Sequence, residues 1–252
     1  MGRPDLHSTR KPTIAELQSR IGGWGRGASV HETGSTTTGC DSLDALFPGS
    51  GVRQGSLVEW LGEGNASGAG TVSLITGRQV CPAERPLILI DTQRELFPLS
   101  LSLLGFDLSR LVLIRPASER EALWACEEAL RCEAVGLVWA NIERLTSTSF
   151  RRLQLAAEAS SGIGFLVRST MAISQPSWAE VRLKVHPRPA VRGSPCYQIE
   201  AASSYGNSQH TTANVVLDSV KGRLHGNAHS ANSLPLVSGM DTATTPCRAA
   251  GA

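Results

Sequence analysis

Lysine is nearly missing from this chain: Lys11, Lys184 and Lys221 are the only three in 252 residues. Any chemistry that needs an ammonium in the central region must therefore do without one, or borrow an arginine. Long apolar runs are absent too. No stretch approaches the roughly 18 residues that a membrane-spanning helix requires, and Met1 to His7 lacks the apolar core of a secretory leader. The expectation is a cytoplasmic protein with no membrane partner. The six cysteines (Cys40, Cys81, Cys126, Cys132, Cys196 and Cys247) form no CxxC pair and no metal-ligand spacing. That argues against a disulfide framework or a zinc site, so no metal is expected.

A formal charge of +2 excludes polyanion binding by bulk electrostatics. The charge is unevenly spread, with five basic against two acidic side chains in residues 1–30 and 14 against 17 in residues 31–186. Arg3, Arg10, Lys11, Arg20 and Arg26 form a basic N-terminal arm, the segment that gives DNA contact a possible route.

A length of 252 residues is enough for one substantial core. Three regions follow from composition and periodicity. Residues 1–33 read as a flexible segment with a short helix at 13–21, where Ile14, Leu17 and Ile21 share a face, and a glycine-rich joint at 22–27. Residues 34–225 form the main domain. Residues 226–252 are mostly small and polar, with Asp241 and Arg248 the only charges, and read as a disordered tail.

Inside the main domain, short apolar strands alternate with helical segments. Strands are expected at 56–61, 87–91, 111–114, 137–140 and 163–167. Helices are expected from the glycine-rich turn to about residue 80, at 96–104, from Ser118 onward and at 149–159. Ser118 and Glu121 have the spacing of a capping box, and Leu123, Cys126, Ala129 and Leu130 form an apolar stripe. Fully apolar strands between helices predict an α/β fold with a mostly parallel central sheet covered on both faces. Residues 181–186 alternate with period two and read as a strand with one solvated face. Further strands at 196–200 and 214–218 are expected at the sheet's end, with a turn at 219–222.

The first strand runs into Gly62, Glu63, Gly64, Asn65, Ala66, Ser67, Gly68, Ala69, Gly70 and Thr71, and a helix follows. That is the strand–loop–helix setting of a phosphate-binding loop. A working loop adds a lysine that reaches the β/γ-phosphates and a Ser/Thr that holds Mg²⁺. Here Gly70 stands where the lysine belongs and Ala69 where a glycine is usual.

Two other strand ends carry the same theme. Asp91 closes the 87–91 strand with Gln93 two residues on, where a water-activating glutamate would sit. Asn141 ends another candidate strand, at 137–140, where a metal-supporting carboxylate would be. An amide cannot act as a general base. Ligands of parallel sheets bind beyond the carboxyl ends of the strands, and all three places fall at that edge. The plainer readings stay open: a connector for 63–70, a turn residue for Asp91, a surface amide for Gln93 and a turn-forming cap for Asn141.

Residues 37–59, Thr-Thr-Gly-Cys-Asp-Ser-Leu-Asp-Ala-Leu-Phe followed by Pro-Gly-Ser-Gly and the strand, resemble the lead-in of the RecA-type core. Residues 103–111, with Leu-Gly-Phe-Asp, are similar to the segment before that family's next strand. Within the RecA-like proteins the chain resembles the ImuA family, whose loop is commonly lysine-free. The resemblance spans about residues 34–225 and weakens after Pro187.

It implies a RecA-like P-loop NTPase core with a degenerate nucleotide site, and a role in damage-induced mutagenesis and translesion DNA synthesis (the SOS response). The partners it implies are a Y-family-like polymerase protein and a DnaE-type error-prone polymerase. The departures at Gly70, Gln93 and Asn141 lead to the expectation of a non-catalytic accessory protein, monomeric or in a small complex. No cofactor is required, although backbone N–H groups can still hold ATP/Mg weakly. Two other readings compete. One is an unconventional DNA-dependent ATPase using Arg78 or Arg94 in place of the lysine. The other is a cell-division or stress regulator that binds protein partners.

Overall fold

The computed structural model describes residues 34–204 and 212–227. The expected N-terminal helix, the glycine joint, the basic arm, Trp24, Cys247 and the tail beyond Asn227 lie outside the described residues. Two short strands, β1 (Ser35–Thr36) and β2 (Val52–Arg53), pair antiparallel around helix α1 (Asp41–Asp44). The rest is built on a nine-stranded sheet. Its strands are β3 (Leu57–Gly62), β4 (Leu87–Asp91), β5 (Leu111–Ile114), β6 (Leu137–Asn141), β7 (Ile163–Ser169), β8 (Val181–Val191), β9 (Ser194–Ser204), β10 (Thr212–Asp218) and β11 (Arg223–Gly226). Their order is β11-β10-β9-β8-β3-β7-β6-β4-β5.

The six strands from β8 to β5 run parallel, while β8 through β11 run antiparallel to one another. The fold is thus α/β with a mixed sheet, in which the expected parallel strands are extended at one end by an antiparallel part. The cause is local. Val191 pairs with Ser194 across the two residues Arg192 and Gly193, whose φ values are 51° and 80°. A two-residue turn with both φ positive returns the chain antiparallel. A parallel return needs a crossover of a dozen or more residues.

Helices α1, α2 (Ala69–Val80) and α3 (Pro98–Leu103) cover one face, with Leu43, Leu46, Val72, Ile75 and Leu101 in a core that continues through Trp60, Trp139, Leu183 and Val215. Leu43, Leu46 and Phe47 are buried there. Helices α4 (Glu119–Arg131) and α5 (Ser147–Ser160) cover the other face over Ile90, Val138 and Leu166. The N-terminus of α4 forms as the pattern predicts: Ser118 Oγ accepts the Glu121 N–H at 3.2 Å. The return bond reaches one residue further back than a capping box, from the Ala117 N–H to the Glu121 carboxylate at 2.9 Å.

Among the described cysteines none is in a disulfide, and Cys40, Cys126 and Cys196 are buried. Burial pushes the Cys126 thiol up to about 12, which makes it inert packing. No helix among the described residues is long and apolar enough to cross a membrane.

The expectation of a solvated face at 181–186 fails at Arg182, which is only 6% exposed. Strands β7 and β8 flank β3 on opposite sides, so residues 170–180 must cross over β3. This strap is a 3-10 turn (Thr170–Ser174) plus irregular chain, and its buried carbonyls need donors. Arg182 donates to the carbonyls of Ala172, Ile173 and Gln175. Arg168 donates to Gln175 Oε1 at 2.6 Å and to the Glu143 carbonyl at 3.1 Å. Two buried guanidinium groups in turn need an anion. Glu59, fully buried on β3, takes Arg168 at 2.7 Å, Arg182 at 2.6 Å and the Ser177 hydroxyl at 2.7 Å.

Candidate functional site

The carboxyl ends of β3, β4, β6 and β7 meet at one edge because their parallel register is even. Asp91 lies opposite Asn141, Asn141 opposite Val167, and Gly62 opposite Ser169. A cavity of about 270 Å³ opens there. Of the thirteen residues expected at the site, Gly62, Gly64, Ser67, Ala69, Gly70, Thr71, Asp91, Gln93 and Asn141 line it. Glu63 and Ala66 are exposed on the loop, Asn65 lies in its 3-10 turn, and Gly68 sits under a ring from β9.

The loop is tightly folded. Asn65–Ser67 form one 3-10 turn, and the helix begins at Ala69, inside the glycine-rich run. Gly70 and Thr71 therefore occupy the first helical turn. Gly68 has φ 81°, a left-handed conformation that favours glycine. A Cβ at Gly68 would also collide with the Tyr197 ring. Gly70 has room instead, since a Cβ there meets only the Trp139 ring, at 4.0 Å. Ser73 links this turn to the sheet: its Oγ donates to the Gly70 carbonyl at 2.9 Å and accepts the Trp139 indole N–H at 2.8 Å.

Asp91 is 1% exposed, and its two oxygens accept the backbone N–H groups of Glu95 and Leu96, each at 3.0 Å. Arg115 Nε lies 3.5 Å away. The carboxylate holds the 92–97 turn in place. Gln93 is exposed, and Thr92 donates its hydroxyl to the Asn141 carbonyl at 2.6 Å.

Neither arginine weighed as a substitute for the loop lysine lines the cavity. Arg78 donates instead to the carbonyls of Gly105 and Gly222, and Arg94 is exposed beside Gln93 with φ 58°. Burial lowers the Arg78 pKa, with the nearby Arg223 charge adding to it.

The motif reading missed Glu95, Trp139, Glu143, Val167, Arg168 and Ser169, which also line the cavity. A signal for the last three was present: once 163–167 reads as a parallel strand, its carboxyl end belongs to the same edge. Glu143 is exposed, and its Oε2 accepts the Ser169 N–H at 3.3 Å. Among the described residues no group of three or more His, Cys, Asp or Glu is placed to hold a metal ion. Arg151 and Arg152 make contacts within the protein, Arg151 stacking 4.6 Å from the Trp178 ring centroid and Arg152 pairing with Glu127 at 2.6 Å.

No family model matches the chain. It is 32% identical over 131 residues to the protein ImuA of Caulobacter vibrioides, which covers 50% of this chain and 54% of that protein. It is 29% identical over 102 residues to RecA of Rhodopirellula baltica, covering 40% of this chain and 27% of that RecA. To RecA of Chlamydia pneumoniae it is 26% identical over 143 residues, covering 55% and 40%. The chain spans about half the length of the ImuA relative and less of the RecA proteins. These similarities mark distant homology to ImuA proteins and a RecA-superfamily relative, and the mixed α/β sheet is consistent with that.

Proposed function

We propose that this chain is a RecA-like accessory protein of damage-induced mutagenesis, acting in translesion DNA synthesis through protein partners and not by turning over ATP. The observation that carries the reading is the charge of the cleft. Its lining holds Asp91, Glu95 and Glu143 against one guanidinium, Arg168, whose side chain has no exposure and binds Glu59. Phosphoryl transfer needs cations that neutralise developing negative charge. The lining offers Gly70 where the lysine would stand and amides at Gln93 and Asn141.

The similarity to ImuA supports a Y-family-like polymerase protein and a DnaE-type error-prone polymerase as the partners. The test is co-purification of the full chain with each of these two proteins, alongside ATP turnover with and without single-stranded DNA. Association with a polymerase component and no turnover above background are expected. DNA-stimulated turnover that is lost in Arg94→Ala would overturn the reading in favour of an ATPase. Association with division proteins alone would replace the mutagenesis role with a regulatory one.

A further inference from the structure

Strands β8 and β9 outrun the sheet. β3 pairs with β8 only as far as Val185, and β10 pairs with β9 only from Cys196, which lies opposite Arg188. Beyond them the two strands go on as a ribbon, and β8 reaches Val191, about 20 Å past the end of β3 at the usual strand rise. Pro187 through Gly193 are all exposed. Arg188 donates to Gln198 Oε1, and Arg192 has no partner among the described residues. No Asp or Glu occurs from Arg182 to Ile199, and the next one, Glu200, faces Lys184 and His186 at the base of the ribbon. The tip is therefore cationic in a chain whose net charge is only +2.

Two further features bear on what the ribbon meets. A two-residue turn with both φ positive favours Asn-Gly or Asp-Gly, yet Arg192 sits there at φ 51°, a strained placement of the kind that clusters at functional positions. Pro187, Pro189 and Pro195 remove three N–H donors, which makes the ribbon a poor template for a further strand. We propose that this ribbon enters a groove of duplex DNA, with Arg188 and Arg192 on its phosphates. The DNA major groove, about 12 Å wide, admits a two-stranded ribbon, and Pro189, Ala190 and Val191 give the tip a small apolar surface to lie in it. A single strand fits less well, because its binding draws on aromatic rings that stack on bases, and the ribbon's Tyr197 is turned to Gly68. Duplex RNA fits less well because its major groove is too narrow for side chains to read. The proposal goes beyond the accessory role above and holds with or without it.

The test is fluorescence anisotropy of the full chain with a labelled DNA duplex of mixed sequence, its single strand and the matching RNA duplex, at salt from about 50 to 200 mM. Replacing both arginines, Arg188→Gln with Arg192→Gln, should weaken duplex DNA at least about tenfold at the lowest salt. It should also flatten the log–log salt slope by about 1.8, the value for two lost phosphate contacts. Arg192→Asn gives the turn a residue that favours positive φ, so its melting temperature should hold or rise while its duplex affinity drops at least about threefold. The basic arm of residues 1–30 is the same in every variant, so the differences report the ribbon.

Unchanged duplex affinity and salt slope in the double variant would overturn the proposal. So would an equal loss of binding to the single strand or the RNA duplex, or no binding of the unaltered chain to duplex DNA at about 100 µM protein. Loss of polymerase association in the double variant, with duplex binding intact, would overturn it too and make the ribbon a protein contact.

Discussion

Two glutamates in this molecule each bridge two arginines, and both carboxylates are buried, but the arginines they hold differ in exposure. Glu59, Arg168 and Arg182 lie inside, with side-chain exposures of 0%, 0% and 8%. Glu127 sits on α4 with Arg131 and Arg152, whose side chains are 51% and 62% exposed. The residue types are the same, but the dependence on them is not. Water can replace a lost partner at the surface, whereas inside the sheet nothing can. The inner cluster exists because the strap over β3 needs donors for its carbonyls. The outer one joins α4 to α5, which already pack through Ala122, Cys126, Leu130, Phe150 and Leu153.

The largest effect should come from breaking the inner cluster. Arg168→Ala leaves Glu59 and Arg182 with an incomplete network and should cost about 3–5 kcal/mol in urea unfolding. Replacing Glu59, Arg168 and Arg182 together by apolar residues should cost less than the single change only if donors for the strap carbonyls are not needed. A triple variant as unstable as Arg168→Ala, or more so, would identify those carbonyls as the reason for the arginines.

A middle effect is expected where the antiparallel extension meets the loop. Gly68→Ala introduces about 1–2 kcal/mol of left-handed backbone strain and a collision with Tyr197. Adding Tyr197→Ala should relieve the collision and leave the strain, so the double variant should be more stable than the sum of the single changes predicts. Strict additivity in urea melts would mean that the ring does not press on the loop.

The smallest effect belongs to the outer cluster. Arg152→Ala should cost about 0.2–1 kcal/mol, less at high salt, because its guanidinium is mostly in water. A loss as large as that of Arg168→Ala would erase the contrast between the two clusters.

The sequence by itself determined the strands and helices of the parallel half, since each apolar run has room for one element and is bounded by its own caps and turns. It also pointed to most of the residues that meet at the carboxyl edge: Gly62, Gly64, Ser67, Ala69, Gly70, Thr71, Asp91, Gln93 and Asn141 are ordered by strand ends, which periodicity reveals. Tertiary structure alone decided the rest. Period-two alternation at 181–186 could not tell a solvated face from one roofed by a strap, because a buried arginine paired with a glutamate on another strand reads like a surface charge. The sequence left Asp91 open as a turn residue, which it is, but not which groups it anchors, because its partners are backbone N–H groups and those carry no sequence signal. The sign of the cleft was equally hidden. It depends on Glu95 and Glu143 lining one cavity while Arg168 turns to Glu59, and charges 48 and 109 residues apart in the chain are brought within reach of one another only by the register of the sheet.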